Sequence, residues 1–432
     1  MMLHAQTAGG RTIPAALAMI LTLALAGGTR AEEPSTASAP PPVSERALAV
    51  HAAGMLFDGH NDFPWLMRAE NDLGMTKFDF AKQVDVGQTD IPRLRKGGLK
   101  AQFWSVYIPS EHPNPTKTVV EQMDFVNRLV EKHPDDLQLA LTADDVEAAV
   151  KAGKIASLMG IEGGVAIDDS FAELRAFYRL GARYMTLTHN KTLAWADAAT
   201  GERKHGGLSP FGERIVAEMN RLGMLVDISH VSAETMADVL RVAQAPVIAS
   251  HSSAFALCPV PRNVPDEILT GLKANGGVVM VNFYSAFLVP DSNKNARAAK
   301  DPIRKAHPDK ADRDKALADW YRNEPGAIRG TVATVVDHID HIVKVAGVDH
   351  VGIGSDFDGI DSWPVGLDDV SDYPRITEEL LRRGYSETDV HKILGGNALR
   401  ALRDAEAVAR RLQETTPPQV DDIRHVKKPE DE

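Results

Sequence analysis

A single cysteine, Cys258, stands in 432 residues. No internal disulfide can form, so the fold must stand on packing and on any metal it binds. A cysteine near the N-terminus for lipid attachment is lacking too. Residues Pro417 to Glu432 are polar and charged, without the apolar tail that a glycolipid anchor signal needs. Positive charge is scarce: 48 Lys and Arg stand against 60 Asp and Glu, a formal charge of −12, with no dense basic cluster to offset it. Such a chain repels a phosphate backbone and an anionic lipid surface, which argues against nucleic acid as a partner. The G-x-S-x-G elbow of serine hydrolases is missing, so Ser252 and Ser253 beside His251 make weak nucleophiles. Cys258 has no activating partner that sequence can name.

Long apolar runs are also few. The run Ile13 to Ala26 follows one basic residue, Arg11, and leads into small residues at Ala24, Ala26, Thr29 and Ala31. It is short for a membrane span and reads as a signal peptide over 1–31, an uncleaved anchor helix being the alternative. Residues 32–45, rich in Pro, Ser and Ala, read as a linker, and 416–432 as a polar tail. The expectation is an exported protein, periplasmic or secreted. It would be soluble once the signal peptide is removed, with no stable membrane anchor in the mature chain.

What the chain does contain is the balance of a globular protein, 44% apolar and 25% charged. Eight short apolar runs read as buried strands, each followed by amphipathic sequence: Met55 to Asp58, Ala101 to Tyr107, Ile155 to Ile161, Tyr184 to Thr188, Met224 to Ile228, Pro246 to Ser250, Val278 to Phe283 and Val351 to Ser355. Helical patterns lie between them at Pro115 to Lys132, Ser170 to Leu180, Pro210 to Leu222, Ala233 to Val242, Thr331 to Val345 and Ile376 to Arg382. Strict alternation predicts an α/β fold, and eight strands close a (β/α)8 TIM-like barrel over residues 46–415. A charged insertion at 289–330 breaks the rhythm near the barrel mouth.

His60, Asp62, Glu162, His189, His230, His251 and Asp356 each fall at or just past a strand end, where barrel enzymes keep their chemistry. His60 and Asp62, two apart, share one face of an extended segment. Glu162 offers two oxygens that can bridge two cations, and His230 and His251 end the next strands. Imidazole and carboxylate suit zinc, with manganese or cobalt as alternatives. Two cations sharing a carboxylate and a water would make hydroxide near neutral pH, which is hydrolytic chemistry. His338 and His341 have the spacing of helical neighbours and form a weaker candidate for a surface cation, a solvated face being the plain reading.

These residues carry a resemblance to the membrane dipeptidase (renal dipeptidase) family, zinc peptidases of the amidohydrolase-like barrels. It runs from about residue 50 to 405. Its motifs include Asp58-Gly59-His60-Asn61-Asp62, Ile161-Glu162-Gly163, Leu187-Thr188-His189-Asn190, Ser229-His230-Val231-Ser232, Ser250-His251-Ser252-Ser253, Arg262-Asn263-Val264 and Gly354-Ser355-Asp356-Phe357-Asp358-Gly359. The resemblance implies two zinc ions, one held by His60, Asp62 and Glu162 and the other by Glu162, His230 and His251, bridged by Glu162 and a water or hydroxide. It implies His189 as oxyanion stabiliser, Asp356 as general base then acid, and Arg262 as the clamp for the carboxylate of a dipeptide. Tyr284 would join the substrate contacts. Where the family tends to carry a second Tyr after the Asn-Phe-Tyr stretch, this chain has Asn282-Phe283-Tyr284 followed by Phe287.

The implied activity is hydrolysis of dipeptides, L-Xaa-L-Xaa or L-Xaa-D-Xaa, by a metal-bridging hydroxide. Two alternatives stand beside it. One is a metal-dependent hydrolase of another small carboxylate-bearing substrate, such as an N-acyl amino acid or a lactone. The other is a metal-binding barrel without catalysis. A homodimer through barrel helices is left open.

Overall fold

A computed structural model describes residues 42–421 apart from Pro325. The signal peptide expected over 1–31, the linker up to residue 41 and the tail from residue 422 lie outside the described residues. Nine parallel strands form one sheet: β1 (Leu56–Asn61), β2 (Leu99–Tyr107), β3 (Leu137–Leu139), β4 (Ile155–Glu162), β5 (Ala182–Thr186), β6 (Leu225–Asp227), β7 (Ile248–Ala249), β8 (Val278–Val281) and β9 (Val351–Ile353). Pairing of β2 with β4 closes eight of them into the expected barrel. The ninth, β3, adds to the start of β4. At three residues it is too short for its alternation to stand out in the sequence.

Parallel barrel strands are covered on both faces and therefore read as continuous apolar runs. In β4 every residue from Ile155 to Glu162 is buried. Phe57, Phe103 and Tyr184 fill the barrel, with ring centroids 5.2 Å apart for the first pair and 4.8 Å for the second. Gly59 and Gly354 let the backbone pass close to Ser250. A Cβ on either would stand 2.6 or 1.9 Å from the Ser250 carbonyl oxygen, which only glycine avoids.

The covering helices carry clear punctuation. Pro210–Leu222 starts where the Ser209 side chain accepts from the Gly212 N–H, and it stops at Gly223 with φ +86°. Phe171–Leu180 is capped in the same way by Ser170 and Gly181. The described part of the C-terminal tail is tied down: Arg214 donates to Gln419 (2.9 Å), and Asp421 accepts from the Phe171 N–H (2.8 Å). The charged insertion contains two helices, Ser292–Ala306 and Lys310–Asn323. It reaches the barrel mouth through the Tyr321 hydroxyl on the Asp361 carbonyl (2.5 Å) and a Tyr321–Trp363 stack with centroids 5.8 Å apart. Among the described residues no helix is long and apolar enough to cross a membrane.

Candidate active site

Strand ends deliver the side chains. His60 ends near the close of β1, Glu162 closes β4, and His189, His230, His251 and Asp356 lie two or three residues past β5, β6, β7 and β9. His230 and Asp356 both hold φ of +66°, a left-handed conformation that is uncommon outside glycine and recurs at functional sites. One detail differs from the sequence reading. Asp62 does not share the extended segment with His60; it sits past β1 at the start of the helix Phe63–Ala69, with φ −92° and ψ 19°. The turn still brings its Oδ2 within 3.2 Å of His60 Nε2.

The ring nitrogens converge on one carboxylate. Glu162 Oε1 lies 2.9 Å from His230 Nε2, 3.5 Å from His251 Nε2 and 3.7 Å from His189 Nε2. Its Oε2 lies 3.4 Å from His60 Nε2 and accepts from the Ser105 hydroxyl at 3.1 Å. Asp356 Oδ1 stands 4.0 Å from His60 Nε2, and its Oδ2 accepts from the Asn282 amide at 2.8 Å. All of these groups are buried except His189, which is partly exposed at the cavity wall.

Hydrogen bonding decides what the Nε2 atoms can be. Ser250 gives its one proton to Asp227 (2.6 Å), so its oxygen must accept from His251 Nδ1–H (2.7 Å). His230 Nδ1 faces the Asn190 carbonyl oxygen at 3.3 Å. Both Nε2 atoms then carry lone pairs, and they stand 2.9 Å apart. His60 Nε2 is buried with no hydrogen-bond partner, while its Nδ1 meets the Tyr184 hydroxyl at 2.8 Å. Lone pairs facing one another beside an anion repel unless a cation lies between them. The donor set of imidazoles and carboxylates therefore fits divalent metal, and three overlapping groups of these side chains have the compactness to hold it.

Charge states agree with that fit at His230, His251 and Glu162, whereas His60 is raised well above the usual imidazole range, because Tyr184, Asp62 and Glu162 together outweigh its burial. Burial holds His230 and His251 well below the usual imidazole range, with the Arg262 cation reinforcing both shifts. Burial also lowers His189, leaving it neutral near pH 7. Glu162 is held well below the usual carboxylate range because the surrounding histidines outweigh its burial. Asp356 moves the other way: burial raises it well above that range, and Asp62 and Glu162 add to the rise.

The metal groups open into a cavity of about 400 Å³ whose walls include Trp65, Tyr107, Arg262, Tyr284 and Phe287. Arg262 is 4% exposed, and burial lowers its pKa to about 10, so it stays a cation at neutral pH. It makes no ion pair among the described residues and its Nε has no partner. Two weak contacts, to the Ser252 hydroxyl (3.3 Å) and the His251 carbonyl (3.4 Å), aim it. The Phe287 ring lies over it at 5.1 Å. Tyr284 donates to Asn293 of the insertion at 3.2 Å.

His338 and His341 do not share a surface cation. His338 is 1% exposed, accepting from the Ala254 N–H (3.0 Å) and donating to the Leu288 carbonyl (3.0 Å). His341 meets Asp266 at 2.7 Å. Cys258 is buried and its thiol is pushed up to about 11, which suits an inert residue. Sequence reasoning gave no role to Asp58, Asp227, Tyr184 or Asn282, all of which hold site residues or their strand ends in place. Buried acids in otherwise apolar strands were the available signal for the first two.

A profile of the family described as membrane dipeptidase (peptidase family M19) matches residues 44–416. Dipeptidase aclJ of Aspergillus oryzae is 42% identical over 381 residues, which cover 85% of this chain and 82% of its own. The crystal structure of the probable dipeptidase PvdM from Pseudomonas aeruginosa superposes with a TM-score of 0.71 at 24% identity, over 84% of this chain and 98% of that one. The dipeptidase AC, a metallo peptidase of family M19, gives a TM-score of 0.65 at 26% identity, over 81% of this chain and 98% of that one.

Proposed function

The chain belongs to the membrane dipeptidase family and is a metallodipeptidase, and from that premise we propose that it is a binuclear zinc enzyme for dipeptides with an L residue at the amino side and an L or D residue at the carboxyl side. The observation that carries this reading is the meeting of the His230 and His251 Nε2 lone pairs, 2.9 Å apart, over the Glu162 carboxylate. His60, Asp62 and Glu162 would hold one cation and Glu162, His230 and His251 the other. When bound, the pair would acidify a shared water and polarise the scissile carbonyl.

The chain's own groups supply the rest. Asp356, raised by burial, takes the proton that the attacking water gives up and passes it to the leaving amine, while the Asn282 amide keeps its other oxygen in place. His189, neutral and at the cavity wall, donates an N–H to the carbonyl oxygen as that atom gains charge. Arg262 receives the free carboxylate through charge-assisted hydrogen bonds from donors that the fold leaves unused. Tyr284 and Phe287 close the same end of the cavity. A carboxylate clamp at that end favours dipeptides over longer chains, whose backbone continues past the cut.

The test is turnover by zinc-loaded protein of a dipeptide panel with L and D carboxyl-terminal residues, beside amidated dipeptides and tripeptides. Free dipeptides should be cut and amidated ones spared. Glu162→Gln should lose at least about a hundredfold in kcat, and Arg262→Ala should lose mainly through KM. Stoichiometric metal with every dipeptide intact overturns the reading and makes N-acyl amino acids and lactones the next substrates to try.

A further inference from the structure

The cavity is lined by five acids, Asp62, Glu162, Asp356, Asp358 and Asp361, against one buried cation, Arg262. Four of the acids have duties already. Asp62 and Glu162 stand in the metal groups, Asp356 holds the Asn282 amide, and Asp358 accepts the Gln88 N–H at 2.6 Å. Asp361 differs: it is exposed, its hydrogen-bonding neighbour on the cavity wall is the neutral Tyr284 hydroxyl, and among the described residues its carboxylate makes no ion pair.

Nearby cations are otherwise engaged. Lys300, 6% exposed, turns its ammonium to the Tyr321 hydroxyl and the faces of Tyr321 and Trp320, 4.3 and 5.3 Å from their ring centroids. Arg297 and Arg304 share Asp301, at 3.9 and 3.3 Å.

The backbone under Asp361 is fixed from two sides. Tyr321 donates to its carbonyl (2.5 Å), and the adjacent Ser362 is bound to Ser285 through both its hydroxyl (2.9 Å) and its carbonyl (3.1 Å). Ser285 directly follows Tyr284. The acid therefore stands on a fixed backbone beside Tyr284, whose ring contacts Phe287, the residue that lies over Arg262.

From this placement we infer that Asp361 selects the substrate's carboxyl-side residue: the enzyme prefers dipeptides ending in lysine or arginine, whose cationic side chain reaches from the Arg262 end of the cavity to the Asp361 carboxylate. The inference rests on the dipeptidase reading and adds a substrate class to it. An ion pair at a solvated rim is worth up to about 1 kcal/mol, so the expected preference is modest, about fivefold in kcat/KM. It should weaken as salt rises, because the pair is exposed.

The experiment compares L-Ala-L-Lys, L-Ala-L-Leu and L-Ala-L-Glu on the zinc-loaded full chain, its Asp361→Asn variant and its Asp361→Lys variant. The original chain should rank lysine over leucine over glutamate. Asp361→Asn should bring the lysine to glutamate ratio close to one, and Asp361→Lys should invert it. An unchanged ratio in both variants overturns the inference. So does an equal loss on all three substrates, which would place Asp361 on a group common to every dipeptide, such as the α-ammonium. Failure of the original chain to cut even L-Ala-L-Leu marks a different fault, in the dipeptidase reading itself, and the substrate preference falls with it.

Discussion

Asp58 on β1 and Asp227 on β6 are both buried acids that tie the end of their strand to a neighbour, yet they act on the site by different routes. Asp58 takes the N–H and hydroxyl of Ser355 past β9, at 2.8 and 2.6 Å, and the Tyr373 hydroxyl at 2.6 Å. Asp227 takes the N–H groups of Ser229 and Ser250, at 3.0 and 2.8 Å, and the Ser250 hydroxyl at 2.6 Å. On the β6 side the chain continues from Ser250 into the His251 ring, so the acid sets that ring's tautomer. On the β1 side it stops at main chain, where the Asp356 N–H donates to the His60 carbonyl at 3.1 Å. The His60 ring is steadied instead from across the barrel by Tyr184. One acid controls the His251 ring and the other controls where two strand ends sit.

The comparison breaks most visibly at Asp227. An Asp227→Asn change removes the acceptor that commits the Ser250 proton, so His251 can present the wrong nitrogen to a metal. Zinc affinity should fall about 10- to 100-fold, read by competition with a chelator, and excess zinc should restore much of the lost turnover. Asp58→Asn should act on stability, with a loss of about 2 kcal/mol in denaturant unfolding, while zinc affinity stays within a few-fold. If both variants lose metal equally, the two acids are one device used twice and the distinction drawn above is wrong.

Much of this site could be read from sequence because a barrel places its chemistry at strand ends, and strand ends are marked by the end of an apolar run. His60, Glu162, His189, His230, His251 and Asp356 were all legible that way. The supporting acids were not. Asp58 meets Ser355 across 297 positions of chain, and an Asp closing an apolar run looks the same whether it caps a turn or staples two strands. Asp62 was legible as a residue but not in its geometry, since the helix start at Phe63 bends the chain between it and His60. The insertion showed its charge but not its two helices, because charged residues dominate it and the side that the first helix buries is made of small or polar residues, Ser292, Ala296 and Lys300. Asp361 carried no signal at all, since no motif or apolar run marks it and only the folded chain brings it to the cavity wall.

His338 is the case where spacing misled, and it extends the comparison to a third support that carries no charge. Its position three residues before His341 suggested one exposed helix face. In the fold it joins Ala254, in the loop that carries Arg262, to Leu288 at the end of the helix bearing Phe287. An N–H can only donate and a carbonyl can only accept, so the ring must be neutral with its proton on Nε2. Burial pushes its pKa down to about 4, against 6.5 for a free histidine. Between those values the unfolded chain binds a proton that the folded chain refuses. Stability from this residue is thus full above pH 6.5 and is lost as the pH falls toward 4. Lowering the pH from 7.5 to 5.5 should remove about 1 kcal/mol on this account. His338→Gln keeps an acceptor and a donor without the titration, so its unfolding free energy should change less over the same range. His51, also buried and lowered, is present in both proteins and cancels in the difference. Parallel pH curves for the two proteins would mean that the ring can take up its proton in the folded state, and that the Arg262 loop is held by Asn263 and packing alone.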